Sequence, residues 1–279
     1  MNTPAVIAIH AAGRSAGVRA PQDDIPAQHW QGGPIQCDDC EYAHLLSLGE
    51  GHGCEPGHAC MQDVYARRID RFFRWNPQLS DEQLGHGYFE VRAIAARRAS
   101  VFHLTPLIND PDETVRLQVA LRLPQTLLAR LVNDPHREVR LRVAQRLAPA
   151  DLAALRHDPD YGVRELVAQR LPQAILPTMA RDPDRAVRMR VAQRLEMPAL
   201  LRMADDRDAD VRRIVAECLP VALLQRLAHD TDWRVRWEVA QRADTSTLAS
   251  MHQDEEPEVR EAVHERLKRN VTPIGVNHG

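Results

Sequence analysis

Lysine is nearly missing from this sequence: of 36 basic residues only Lys268 is a lysine, and the other 35 are arginine. Aromatic residues are scarce at 4%, which argues against a sandwich or barrel filled with large rings. No apolar run reaches the length that a membrane span needs, so no segment reads as a transmembrane helix. The apolar stretch 5–9 is short, no basic residue precedes it, and His10 and Arg14 interrupt the chain beyond it. A secretory signal is therefore not expected, and the chain is read as cytoplasmic. The formal net charge of −3 over 279 residues speaks against a protein dedicated to coating DNA.

What is present is unevenly placed. Residues 1–86 carry 6 basic and 11 acidic residues, and residues 87–279 carry 30 and 28, a net +2. Hydrophobic residues at 44% suffice for a buried core. Val-Arg pairs recur with a constant 24-residue period, from Val91-Arg92 through Val115-Arg116, Val139-Arg140, Val163-Arg164, Val187-Arg188, Val211-Arg212 and Val235-Arg236 to Val259-Arg260. Thirteen positions after each Val stands a leucine, from Leu104 to Leu248, and three further on a leucine or methionine, from Leu107 to Met251.

Within one repeat, Val115, Val119, Ala120 and Leu123 fall on one face of a helix of about three turns. Asp110-Pro111, Asp134-Pro135, Asp158-Pro159 and Asp182-Pro183 read as an N-cap followed by proline at the first helical position. Pro124, Pro172 and Pro220 then forbid continuation. The remainder is too short for a second full helix, and a short 3₁₀ segment is expected. Leucine-rich strand signatures are missing, and helical-pair repeats need about 40 residues, so the period points to an all-helical solenoid.

Arginines recur with acids four positions earlier, as in Asp112–Arg116, Asp160–Arg164, Asp184–Arg188, Asp208–Arg212 and Asp232–Arg236. These are expected as helix-supporting i,i+4 pairs, a charge-balanced ladder in preference to a ligand-facing arginine row. An alanine five positions after each Val, Ala96 through Ala240, marks close approach between repeats. In the last repeat His264 replaces it, as suits a terminal face meeting water. Cys218 occupies a slot held elsewhere by Arg98, Arg122, Arg146, Arg170, Arg194, Arg242 and Arg266 and reads as a bystander thiol.

The other four cysteines, Cys37, Cys40, Cys54 and Cys60, cluster near the N-terminus as C-x2-C followed by C-x5-C. Four thiolates together need a counter-charge, which a soft metal or cluster supplies, and in a reducing compartment this pattern reads as metal binding. Spacing alone leaves zinc and iron–sulfur both open. Gly49, Gly51, Gly53 and Gly57 are expected to let backbone N–H groups approach the sulfurs, with His44, His52 and His58 as loop or supporting residues. The stretch 61–75, with Ile69, Phe72 and Phe73 between arginines, reads as an amphipathic helix ended at Asn76-Pro77 that covers the open end of the first repeat.

A 24-residue Val-Arg/Ala/Leu/Asp-Pro repeat behind a four-cysteine segment resembles the leucine-rich repeat variant (LRV) proteins of nitrogen-fixing bacteria, over about residues 34–270. The resemblance implies a right-handed superhelical solenoid of alternating α- and 3₁₀-helices without strands. It also implies a [4Fe–4S] cluster in preference to zinc, with Cys37, Cys40, Cys54 and Cys60 as ligands. The expected organisation is an N-terminal segment 1–33, a cluster domain with its capping helix over 34–78, repeats over 79–270 and a tail 271–279. The pattern departs at Arg207, Thr231 and Glu255, where proline is lost and helix starts are less defined.

No phosphate-cradling glycine loop, nucleophile elbow or HExxH motif is present, and four cysteines on one cluster leave no open iron. The expected function is therefore non-enzymatic, with no small-molecule substrate and no membrane. It is a redox-responsive or electron-transfer scaffold that binds a macromolecule, protein in preference to nucleic acid. The alternative is a nucleic-acid-binding solenoid with a structural metal.

Overall fold

A computed structural model describes residues 25–48 and 51–271, with side chains to residue 269. Most of the expected N-terminal segment, nearly all of the tail, and Gly49 lie outside the described residues. The chain divides into two compact units, Met1–Leu123 and Pro124–Gly279. Both are helical, and among the described residues extended pairing is limited to the isolated bridges His29↔Asp63 and Glu55↔Ala59.

One turn of the second unit shows how the sequence builds the repeat. The Asp160 carboxylate accepts the N–H groups of Gly162 and Val163 and caps the helix Tyr161–Arg170. Val163, Val167 and Ala168 on that helix are completely buried. Leu171 donates its N–H to the Val167 carbonyl, Pro172 stops the helix, and a 3₁₀ segment Leu176–Met179 follows. The same alternation recurs with 3₁₀ segments Pro149–Leu155, Leu200–Asp205 and Val221–Leu227. Two short connectors, Gln125–Leu128 and Thr245–Ser250, are α-helical instead.

The repeat columns are the core. Every Val of the Val-Arg series is fully buried, and so is each alanine from Ala96 to Ala240, whereas His264 is exposed. Each fully buried leucine or valine contributes about 1.5–3 kcal/mol relative to exposure.

The helix starts differ from the sequence reading. Helices begin two positions after each Asp-Pro proline, and the caps are Asp112, Asp160, Asp184, Asp208 and Asp232. Proline lies outside the helix, so its loss at Arg207 and Thr231 leaves the caps Asp208 and Asp232 in register.

The charged ladder is differently wired too. With the expected i,i+4 acids occupied as caps, arginines within each unit reach forward to the aspartate that opens the following repeat. Arg164 donates Nε and a terminal nitrogen to the two oxygens of Asp182 at 2.8 and 3.0 Å, and its third donor meets the Asp158 carbonyl at 2.8 Å. Asp182 also accepts the Asp184 N–H at 2.9 Å. Arg140–Asp158, Arg188–Asp206, Arg212–Asp230 and Arg236–Asp254 repeat this fork in the second unit, and Arg92–Asp110 makes it in the first. Burial works to raise the Asp254 carboxyl, but Arg236 and the Glu256 N–H outweigh it and hold it below the usual range. Its stabilisation is therefore full above about pH 4 and is lost as pH falls through the folded value.

A second arginine column satisfies helix C-termini, whose last carbonyls have no partner within the helix. Arg170 reaches the Ala144 and Leu147 carbonyls, Arg194 those of Ala168 and Leu171, and Arg242 those of Ala216 and Leu219. In the first unit Arg122 does the same to Ala96 and Ala99. Arg98, with no full repeat before it, instead meets Asp70 of the helix Ala66–Trp75 at 3.0 Å. That helix buries Ile69, Phe72 and Phe73 and packs on Phe89–Ala96, as a cap on the first repeat.

Cys218 interrupts this column, so the Ala192 and Leu195 carbonyls lack the arginine that their counterparts receive. Replacing Cys218→Arg should raise stability by about 1 kcal/mol, the net worth of a typical hydrogen bond. The check is the midpoint of thermal unfolding, and an unchanged or lowered midpoint would contradict the wiring.

Candidate metal centre

The four N-terminal cysteines are brought together by three local devices. A tight turn, with the Cys40 N–H on the Cys37 carbonyl at 3.2 Å, sets the first pair side by side. The wide C-x5-C pair is closed by a small loop: Glu55 and Ala59 exchange backbone hydrogen bonds at 2.8 and 2.7 Å, with Gly57 at φ +74° in the bend. This places Cys54 and Cys60 next to the bridged pair, with their thiols in hydrogen-bond contact. The Cys54 N–H on the Leu45 carbonyl at 3.3 Å then joins the second pair to the 3₁₀ helix Ala43–Leu48 behind the first.

All four cysteines are free thiols and line one pocket, whose other walls include Ile35, Tyr42, Leu46 and Gln62. Among the described residues no three Cys, His, Asp or Glu side chains converge on a single-ion position. Burial pushes the Cys37 and Cys40 thiols up, and the charges of neighbouring cysteines add to this. Cys54 is raised by its hydrogen bond to Cys60, by burial and by the other three thiols. Cys60 is lowered because it accepts from Cys54 and from the Gln62 and Asp63 N–H groups, against the effect of burial. Burial and mutual repulsion thus disfavour four thiolates side by side in this half-buried pocket, and three of the sulfurs are held toward the neutral thiol. A cationic cluster would relieve that repulsion, so the donor set fits one.

The glycines play a different part from the one read in the sequence. N–H groups near sulfur come from Tyr42, Gln62 and Asp63, while Gly51, Gly53 and Gly57 supply positive φ. Gly53 is the demanding position: a Cβ there would lie 2.2 Å from the Leu45 carbonyl oxygen. Its own carbonyl accepts from the Asn76 amide at 2.6 Å, and that amide also caps Phe72 at 2.9 Å. Asn76 therefore ends the capping helix and holds the cysteine loop, a long-range tie that no local pattern announces.

His58 stacks obliquely on Trp75, and both its ring and its carbonyl meet Arg71, at 2.9 and 2.7 Å. The His44 ring contacts the Glu41 carbonyl at 3.2 Å. His52 is exposed. Sequence reasoning also missed a fully buried pair beneath Cys60: Arg68 meets Asp63 at 3.0 Å and the Ile25 carbonyl at 2.6 Å. Trp30 belongs to the same assembly. Its indole N–H donates to the Gln62 side chain at 3.0 Å and its ring lies parallel to Tyr88. Residues 25–33, which show no periodicity, are thus held against the cluster segment.

Gly51 has open space around its Cα, so Gly51→Ala should cost only the left-handed backbone penalty, about 1–2 kcal/mol. Gly53→Ala must in addition displace the Leu45 backbone, and it should lower the thermal midpoint further and abolish retention of bound iron. Equal behaviour of the two variants would contradict this role for Gly53.

Comparison with known proteins agrees with this construction. A family model described as the LRV protein FeS4 cluster matches residues 27–82, and the leucine-rich repeat variant model matches 89–112 and 161–184. An uncharacterized 27.7 kDa protein in the nifB 3' region of Rhodobacter capsulatus is 50% identical over 95 residues, 34% of this chain. The match spans 38% of that relative's length. A solved structure described as a leucine-rich repeat variant with a novel repetitive protein structural motif is 42% identical, with a TM-score of 0.78. The similarity covers 87% of this chain and all of that one. The chain belongs to the leucine-rich repeat variant family and carries its iron–sulfur domain.

Proposed function

We propose that the chain is a redox-responsive or electron-transfer scaffold, in which Cys37, Cys40, Cys54 and Cys60 hold a [4Fe–4S] cluster and the repeats bind a partner protein. The observation that carries this reading is the convergence of all four thiols on one pocket. When bound, such a cluster supplies one-electron chemistry at a potential set by charge, hydrogen bonds and exposure.

The chain's own residues give that chemistry an inside and an outside. Cys60 is buried against the Asp63–Arg68 pair, and Tyr42 closes one wall with its hydroxyl accepting from Gln83 at 2.7 Å. Cys37 and Cys40 lie at the half-exposed edge, beside exposed Asp38, Asp39 and Glu41. An electron partner approaching that edge would be basic, and its association would weaken with salt. A four-cysteine cluster site suits a reducing cytoplasm, and no described helix is long and apolar enough to cross a membrane.

The nucleic-acid alternative rests on arginine abundance, and the two principal arginine columns are committed to carboxylates and helix carbonyls. No catalytic role is assigned: Asp158 and Asp230, which follow His157 and His229, are engaged by Arg140 and Arg212.

Anaerobic reconstitution tests the reading. The full chain should bind close to four irons and four acid-labile sulfides and give an EPR signal on dithionite reduction. Cys54→Ser should lose most of the iron. Zinc in place of iron, or a cluster that accepts no electron from any reductant, would overturn the redox proposal.

A further inference from the structure

Within the second unit, grooves between the short helices of successive repeats are related by the 24-residue period, so the residues at three register slots decide what each groove presents. Advancing one repeat at a time, those slots read His157, Thr178 and Pro183; then Arg181, Arg202 and Arg207; then Asp205, Arg226 and Thr231; then His229, Ser250 and Glu255. Of these four sets the second alone brings three cations together. It lines a cavity of about 820 Å³ between Leu176–Met179 and Leu200–Asp205. That volume falls in the range of small-molecule sites, about 300–1,000 Å³.

The charge in this cavity is not already spent. Each carboxylate lining it has its own arginine: Asp182 meets Arg164, Asp206 meets Arg188 and Asp205 meets Arg226. Arg207 donates to the Pro183 carbonyl at 2.8 Å, a contact that leaves its charge uncompensated. Among the described residues the Arg181 and Arg202 guanidinium groups make no hydrogen bond or ion pair. Three solvated guanidinium groups therefore face one opening without a counter-ion. Guanidinium forks match phosphate and carboxylate oxygens two at a time. The repeat-related sets on either side carry Asp205 or Glu255, or no formal charge, which would interrupt an extended polyanion track.

We propose that Arg181, Arg202 and Arg207 form a binding site for a compact multivalent oxyanion, bearing either linked phosphates or several carboxylates. This site is separate from the cysteine pocket and stands whether or not the redox reading holds.

Isothermal calorimetry on the full chain at low ionic strength tests it, with pyrophosphate and citrate as separate probes. At least one should bind with a submillimolar Kd, and the tighter of the two identifies the source of the oxygens. Arg181→Gln with Arg202→Gln should weaken that binding at least tenfold, and Arg202→Gln alone at least threefold. Arg130→Gln, at the repeat position of Arg202 but in a different groove, should leave it unchanged. All three side chains are exposed, so the thermal midpoints should stay level. The proposal is overturned if neither anion binds, if Arg130→Gln weakens binding as much, or if a single-stranded oligonucleotide binds more tightly than both.

Discussion

The bidentate fork between an arginine and the aspartate that opens the following repeat is the interaction on which the solenoid depends. It crosses from one turn to the next, so it fixes stacking in a way that helix propensity cannot. Each member is fully engaged. The arginine's third donor meets a backbone carbonyl of its own repeat, and the aspartate also accepts the N–H two positions on, as Asp182 does from Asp184. Buried ions are tolerated only when so completely satisfied. Lysine could not replace arginine at these fork positions: an ammonium cannot make two parallel bonds to one carboxylate while holding a carbonyl with a third donor.

The period, the buried Val, Ala and Leu columns and the α/3₁₀ alternation were legible in the sequence, because they rest on apolar spacing and on proline stops. The ladder's wiring was not. Asp184 and Asp206 both stand at sequence offsets that could serve Arg188, and spacing offers the nearer acid. Only the structure shows Asp184 taken by the Ala186 N–H and Arg188 turned toward Asp206. The same limit applied at the cysteine segment. The C-x2-C turn could be read directly, whereas the closure of C-x5-C by the Glu55–Ala59 bridge, the Asn76 tie to Gly53 and the docking of Trp30 depend on backbone pairing and on contacts far along the chain.

This wiring also bears on function. The two arginine columns that recur with the repeat are consumed by forks and by helix C-termini, and one grouping left open to a ligand is the cavity of Arg181, Arg202 and Arg207. The cysteine segment contributes a different kind of site, with opposed thiols in a pocket whose open edge is acidic. The two sites belong to different compact units, and each is explained by its own residues.

A double-mutant cycle centred on Arg188 tests the account most directly. Coupling of Arg188→Ala with Asp206→Ala in urea unfolding should be large, about 2–3 kcal/mol, since either single change strands a buried charge. Coupling with Asp184→Ala should be near zero, with the Asp184 change costing only about 1 kcal/mol as a lost helix cap. Strong coupling to Asp184 and none to Asp206 would contradict the ladder.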